Sequence, residues 1–78
     1  MPTVTIIGPY RFHFYANENA EPPHIHVERD DKEAKYWLDP VRLESAGGMS
    51  KSDLRRVDKL VRQHQIMFLE AWNEFFSE

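Results

Sequence analysis

The chain of 78 residues has no cysteine. Disulfides and thiolate metal sites are therefore excluded, stability has to come from packing or association, and any metal has to be held by histidine and carboxylate. The N-terminus lacks a basic leader, and its apolar patch, Val4 to Ile7, is too short for a signal peptide or a membrane span. A cytoplasmic protein without membrane contact is expected. The net charge of −3 gives no global pull toward nucleic acid, so RNA or DNA binding would need a local basic patch. No serine or cysteine nucleophile motif, repeat or low-complexity tract is present, and the length suits one domain, residues 1–78.

What the chain does have is large side chains: 41% of residues are apolar, including five Phe, three Tyr and two Trp, enough for one core. Residues 1–48 read as a sheet region. Val4 to Ile7 is a β-branched run stopped by Gly8-Pro9. In the next strand, Tyr10 to Tyr15, alternation puts Tyr10, Phe12 and Phe14 on one face and Arg11, His13 and Tyr15 on the other. Ala16 to Pro23 is a polar loop ending in extended Pro22-Pro23. In His24 to Glu28, Ile25 and Val27 share the core face, while His24, His26 and Glu28 share the opposite one. Asp30-Asp31-Lys32 turns into a strand from Ala34 to Leu38, with Lys35 and Trp37 outward. Val41 to Leu43 could add a short edge strand before Gly47-Gly48 ends the sheet.

Ser50 followed by Asp53 resembles a capping box, and Leu54, Val57, Val61, His64, Phe68, Ala71 and Phe75 then recur at helical spacing. One helix over 50–76 is predicted, about 39 Å long at about 1.5 Å per residue, against about 17–20 Å for a strand of five or six residues. The expected fold is α+β: a small antiparallel sheet of three to four strands packed on one long C-terminal helix. That helix should overhang the sheet at Trp72, Phe75 and Phe76, covered either by the N-terminal arm or by a second chain, with Ile66 and Leu69 outside the main stripe. His64, inside the stripe, reads as a core or interface residue.

The outward sheet face collects Arg11, His13, Tyr15, His24, His26, Glu28, Lys35 and Trp37. Imidazoles titrate near neutral pH and donate, accept or coordinate, so three readings compete. His24 and His26 could act as an acid–base pair cleaving RNA, with Arg11 and Tyr15 on the phosphate. His13, His24 and His26 could hold a divalent metal, although no cofactor is demanded. Alternatively the rings are structural and the surface, including Pro22, Pro23, Glu28 and Trp37, binds a protein partner together with Trp72 and Phe75.

Lys51, Arg55, Lys59 and Arg62 lie on the helix away from the apolar stripe, and Glu70, Glu74 and Glu78 gather at its C-terminal end. Antiparallel pairing of two such helices would match basic to acidic halves, which favours a homodimer.

Pro22-Pro23-His24-Ile25-His26-Val27, with the Met1-Pro2-Thr3 opening, the run from Ala34 to Val41 and the Phe68-Leu69-Glu70-Ala71-Trp72 ending, resembles the bacterial family called domain of unknown function 4160. The resemblance implies no established activity. It does imply small operon pairs similar to toxin–antitoxin modules, and hence an interaction module with a protein partner. The family's motif falls on Pro22, Pro23, His24 and His26.

Overall fold

The computed structural model describes residues 3–77, so Met1, Pro2 and Glu78 lie outside the described residues. Five strands, β1 (Thr3–Ile7), β2 (Tyr10–His13), β3 (His24–Arg29), β4 (Lys32–Leu38) and β5 (Val41–Ser45), precede two helices, α1 (Lys51–Gln63) and α2 (Gln65–Phe76). The strands form one antiparallel meander in sequence order. The α+β expectation holds, with five strands in place of three to four. The patch at Val4 to Ile7 is a full edge strand, because Gly8, at φ +58°, lets the chain reverse and bring Ile7 opposite Tyr10.

One sheet face carries Phe12, Ile25, Val27, Ala34, Tyr36 and Leu38, all buried against Val57, Val61, Phe68 and Trp72 of the helices. Phe12 stacks on Phe68 at 5.2 Å. Ser50 caps α1 by accepting the Asp53 N–H at 3.0 Å. The Asp53 carboxylate meanwhile accepts from Tyr10 at 2.8 Å and Arg29 at 2.6 Å, tying the helix start to the sheet. At Gly47, φ +61°, an added Cβ would sit 1.6 Å from the Glu33 carbonyl oxygen, so only glycine lets this loop pass β4.

The single helix predicted over 50–76 is interrupted at His64, whose φ and ψ are −109° and 16°. The Leu60 carbonyl accepts both the His64 N–H, at 3.0 Å, and its Nδ1–H, at 2.8 Å, a local side-chain bond of the kind that bends helices. Gln65 then donates to the Leu38 carbonyl at 2.6 Å, fixing the start of α2 against the end of β4. At the expected overhang Trp72 is only 6% exposed, covered by side chains of its own chain. It packs on Phe14, at 5.4 Å between ring centroids, on His24 at 4.8 Å and on Phe76 at 4.2 Å. Phe75 remains 38% exposed.

Candidate functional site

Alternation in β3 sends Ile25 and Val27 beneath the helices and His24 and His26 to the other face. His26 lies opposite His13 on β2, and the ring centroids are 5.6 Å apart; His24 lies 5.1 Å from His26. The three imidazoles thus come together as expected, but the face is not open. The segment between β2 and β3 folds down over it, leaving His13 and His24 0% and His26 6% exposed.

Two carboxylates organise this closure. Glu18, in the covering loop, places Oε1 2.9 Å from His24 Nε2 and 2.6 Å from His26 Nε2. Glu33, on β4, accepts from His13 Nε2 at 3.0 Å and from the Tyr15 hydroxyl at 2.9 and 2.7 Å, and its Oε2 lies 3.5 Å from His26 Nδ1. Glu21 pairs with Lys35 at 2.5 Å, a second tether of the loop to the sheet.

Neither Glu18 nor Glu33 was singled out from sequence. Glu33 has the parity of Lys35 and Trp37 and belongs to the sheet, because β4 starts at Lys32 and not at Ala34. Glu18 lies in a polar loop, and only its place six residues before His24 in a Pro-rich connection offered a signal.

The protons can be counted. His24 Nδ1 faces the Pro22 carbonyl oxygen at 2.9 Å, so it must carry hydrogen, and its Nε2 faces a carboxylate. His26 has a carboxylate oxygen beyond each ring nitrogen. Burial raises the Glu18 carboxyl, but hydrogen bonds from His24 and His26 outweigh it and hold the group below the usual carboxylate range. A neutral imidazole has one N–H, so each ring is one hydrogen short of its acceptors. Two extra protons would satisfy them, at the expense of two like charges in buried rings 5.1 Å apart. A single dication between the Nε2 atoms and Glu18 would satisfy them equally, with both Nδ1–H groups anchored on the Pro22 carbonyl and on Glu33.

His13 differs. Burial and then the nearby Arg11 charge lower its pKa, Glu33 only partly opposing them, so it is a neutral ring donating Nε2–H to Glu33. Its buried Nδ1 has no partner among the described residues. Tyr15 is pushed up to about 12, first by its hydrogen bond to Glu33 and then by burial, and it stays a donor.

The sequence-derived sites separate accordingly. His24 and His26 share Glu18, whereas His13 turns to Glu33, so the expected trio of His13, His24 and His26 is replaced by Glu18, His24 and His26, whose ligand atoms all lie within 4.8 Å. Arg11 is bound to Glu28 at 2.7 Å and Thr3 at 2.9 Å, and Tyr15 is bound to Glu33. Acid–base work on an RNA chain needs imidazoles that the substrate can reach, and these are covered. Pro22 contributes its carbonyl to His24, and Pro23 accepts the Leu38 N–H at 3.0 Å. Trp37 stands edge-on to His24 at 5.7 Å. Phe75 lies apart, beside a groove of about 450 Å³ that Thr3, Val4, Phe14 and Ala71 also line. No described helix is long and apolar enough to cross a membrane.

The family described as a domain of unknown function, DUF4160, matches residues 10–73, and the chain belongs to it. The matched span contains all six members of the cluster: His13, Tyr15, Glu18, His24, His26 and Glu33. No curated protein and no solved structure matches the chain.

Proposed function

We propose that this member of the DUF4160 family is a divalent-metal-binding domain in which Glu18, His24 and His26 hold one ion that locks the loop between β2 and β3 onto the sheet. The observation that carries the reading is the convergence of two Nε2 atoms on Glu18 Oε1, at 2.9 and 2.6 Å, while both Nδ1 atoms face other acceptors. Histidine ligands of metals regularly donate their second N–H to a carbonyl or carboxylate, which fixes the tautomer and aims the ring.

Two imidazoles and a carboxylate suit zinc best among common divalent ions. Ligands about 2.0–2.2 Å from tetrahedral zinc stand about 3.3 Å apart, so Glu18 would draw back by about half an ångström. Burial of the imidazoles favours a structural role over substrate activation, and binding energy would appear as folding energy. Protein purified without a histidine tag is expected to carry, or take up, one zinc per chain by elemental analysis and calorimetry. His26→Ala and Glu18→Ala should each abolish uptake. A folded wild-type protein that binds no zinc would remove this function.

A further inference from the structure

The solvent side of α1 and α2 is banded. Lys59 and Arg62 are exposed before the bend, Glu70 and Glu74 after it, and Ile66 lies between them at 68% exposure with Met67 at 39%. An isoleucine this bare in the middle of a charged helix face gains nothing from its own fold. The bend accounts for part of the charge order, since Arg62 now falls in the last turn of α1, where a base is favourable. It does not account for α2, which has no acid in its first turn and no base in its last while Glu74 sits near its C-terminal end.

The helical hydrogen bonds run across the bend, from the His64 N–H to the Leu60 carbonyl and from the Phe68 N–H to the His64 carbonyl. The molecule's longest dimension is 37 Å, close to the length of the two helices laid end to end. The face is therefore one rod with an apolar centre, a basic half and an acidic half.

We infer that this face pairs with the same face of a second copy of the chain, antiparallel, with the two-fold axis at Ile66. Residues equally far from Ile66 then meet across the axis: Arg62 faces Glu70 of the second copy, and Lys59 faces its Asn73–Glu74 turn. The contact is isologous, so every pair occurs twice and the assembly closes at two. Among the described residues neither Glu70 nor Glu74 has an ion-pair partner within its own chain, so both carboxylates are free to meet these bases. Arg62 bonds Asp58 at 2.9 Å across one exposed turn, an arrangement that leaves part of its guanidinium outward. A standard interface takes about 800 Å² from each partner, about one sixth of the 4808 Å² here. A single helical strip lies at the small end of that class, so association in the micromolar range is expected.

The test is molecular mass in solution against concentration, by light scattering and analytical ultracentrifugation, from about 1 to 500 μM, a range set by that expected affinity. Wild type is expected to pass from monomer to dimer, and Ile66→Asp to stay monomeric with an unchanged melting temperature, because the side chain is exposed. Arg62→Glu and Glu70→Arg should each weaken pairing by at least tenfold. Mixed together, they should form a heterodimer tighter than either homodimer, since both cross-axis pairs become complementary. A second protein filling this face instead would leave the purified chain monomeric throughout. That result, or a dimer indifferent to Ile66→Asp and to the charge exchange, overturns the inference.

Discussion

Adding zinc to chelator-stripped protein should raise its melting temperature, and the size of the shift follows from linkage. A ligand at one hundred times its dissociation constant, bound only by the folded state, stabilises by about 2.7 kcal/mol. For a domain of 60–100 residues each kcal/mol moves the midpoint by about 4–8 °C, so a rise of about 11–22 °C is expected. The control is Glu18→Gln, which keeps the loop's length and shape but removes the anion between the two Nε2 atoms. Its melting temperature should be indifferent to zinc. The assay is differential scanning calorimetry at pH 7.5 across a zinc series, with magnesium as a hard-ion comparison. A wild-type midpoint that zinc leaves unmoved, or an equal shift in Glu18→Gln, would refute the reasoning, because the stabilisation must pass through that carboxylate.

Glu33→Gln should leave the fold intact and weaken zinc binding by about 10–100-fold, read by competition with a chromophoric chelator, because the His26 Nδ1–H loses its charged acceptor. The Tyr15 phenol is raised to about 12 from 10.0, so its contribution to stability is complete below pH 10 and is lost as pH climbs toward 12. In the difference between wild type and Tyr15→Phe, absorbance at 295 nm should report a phenolate step near the upper value; a step near 10 in folded protein would contradict the bond to Glu33. Gly47→Ala should destabilise by about 3 kcal/mol or more in urea, since the new Cβ falls 1.6 Å from the Glu33 carbonyl oxygen. An unchanged midpoint would mean that the loop yields freely.

Alternation was sufficient to decide which side of the sheet each ring occupies. Ile25 and Val27 are completely buried under the helices, and His13, His24 and His26 gather on the far side, because the strand period is a local property that one sequence displays. The helical stripe was equally legible, down to the Ser50 cap. The break at His64 was not, because it arises where one carbonyl accepts a backbone and a side-chain hydrogen together, a competition that periodicity does not register. The number of strands was less legible at the two edges of the sheet. β1 and β5 carry mostly half-buried or exposed side chains, so both show little hydrophobic contrast.

Whether the histidine face was open depended on something parity cannot express. A polar loop is ordinarily read as solvated, and residues 16–23 have that composition. Polar side chains also cover a polar surface when their charges match it. Glu18 answers His24 and His26, Glu21 answers Lys35, and from the loop's first residues Tyr15 answers Glu33. Each of these contacts is close in space but joins residues 6 to 18 positions apart, and each needs the sheet register to be set first. Beyond Phe14, which is buried against Trp72, the loop has no fully buried apolar side chain, so ion pairs and hydrogen bonds have to hold residues 15–23 down against the entropy of an ordered segment. Such a lid is sensitive to the state of a single carboxylate. A dication bound at Glu18 would turn that sensitivity into a firm attachment, and this would link the burial of the imidazoles to the Pro22 to His26 segment of this chain.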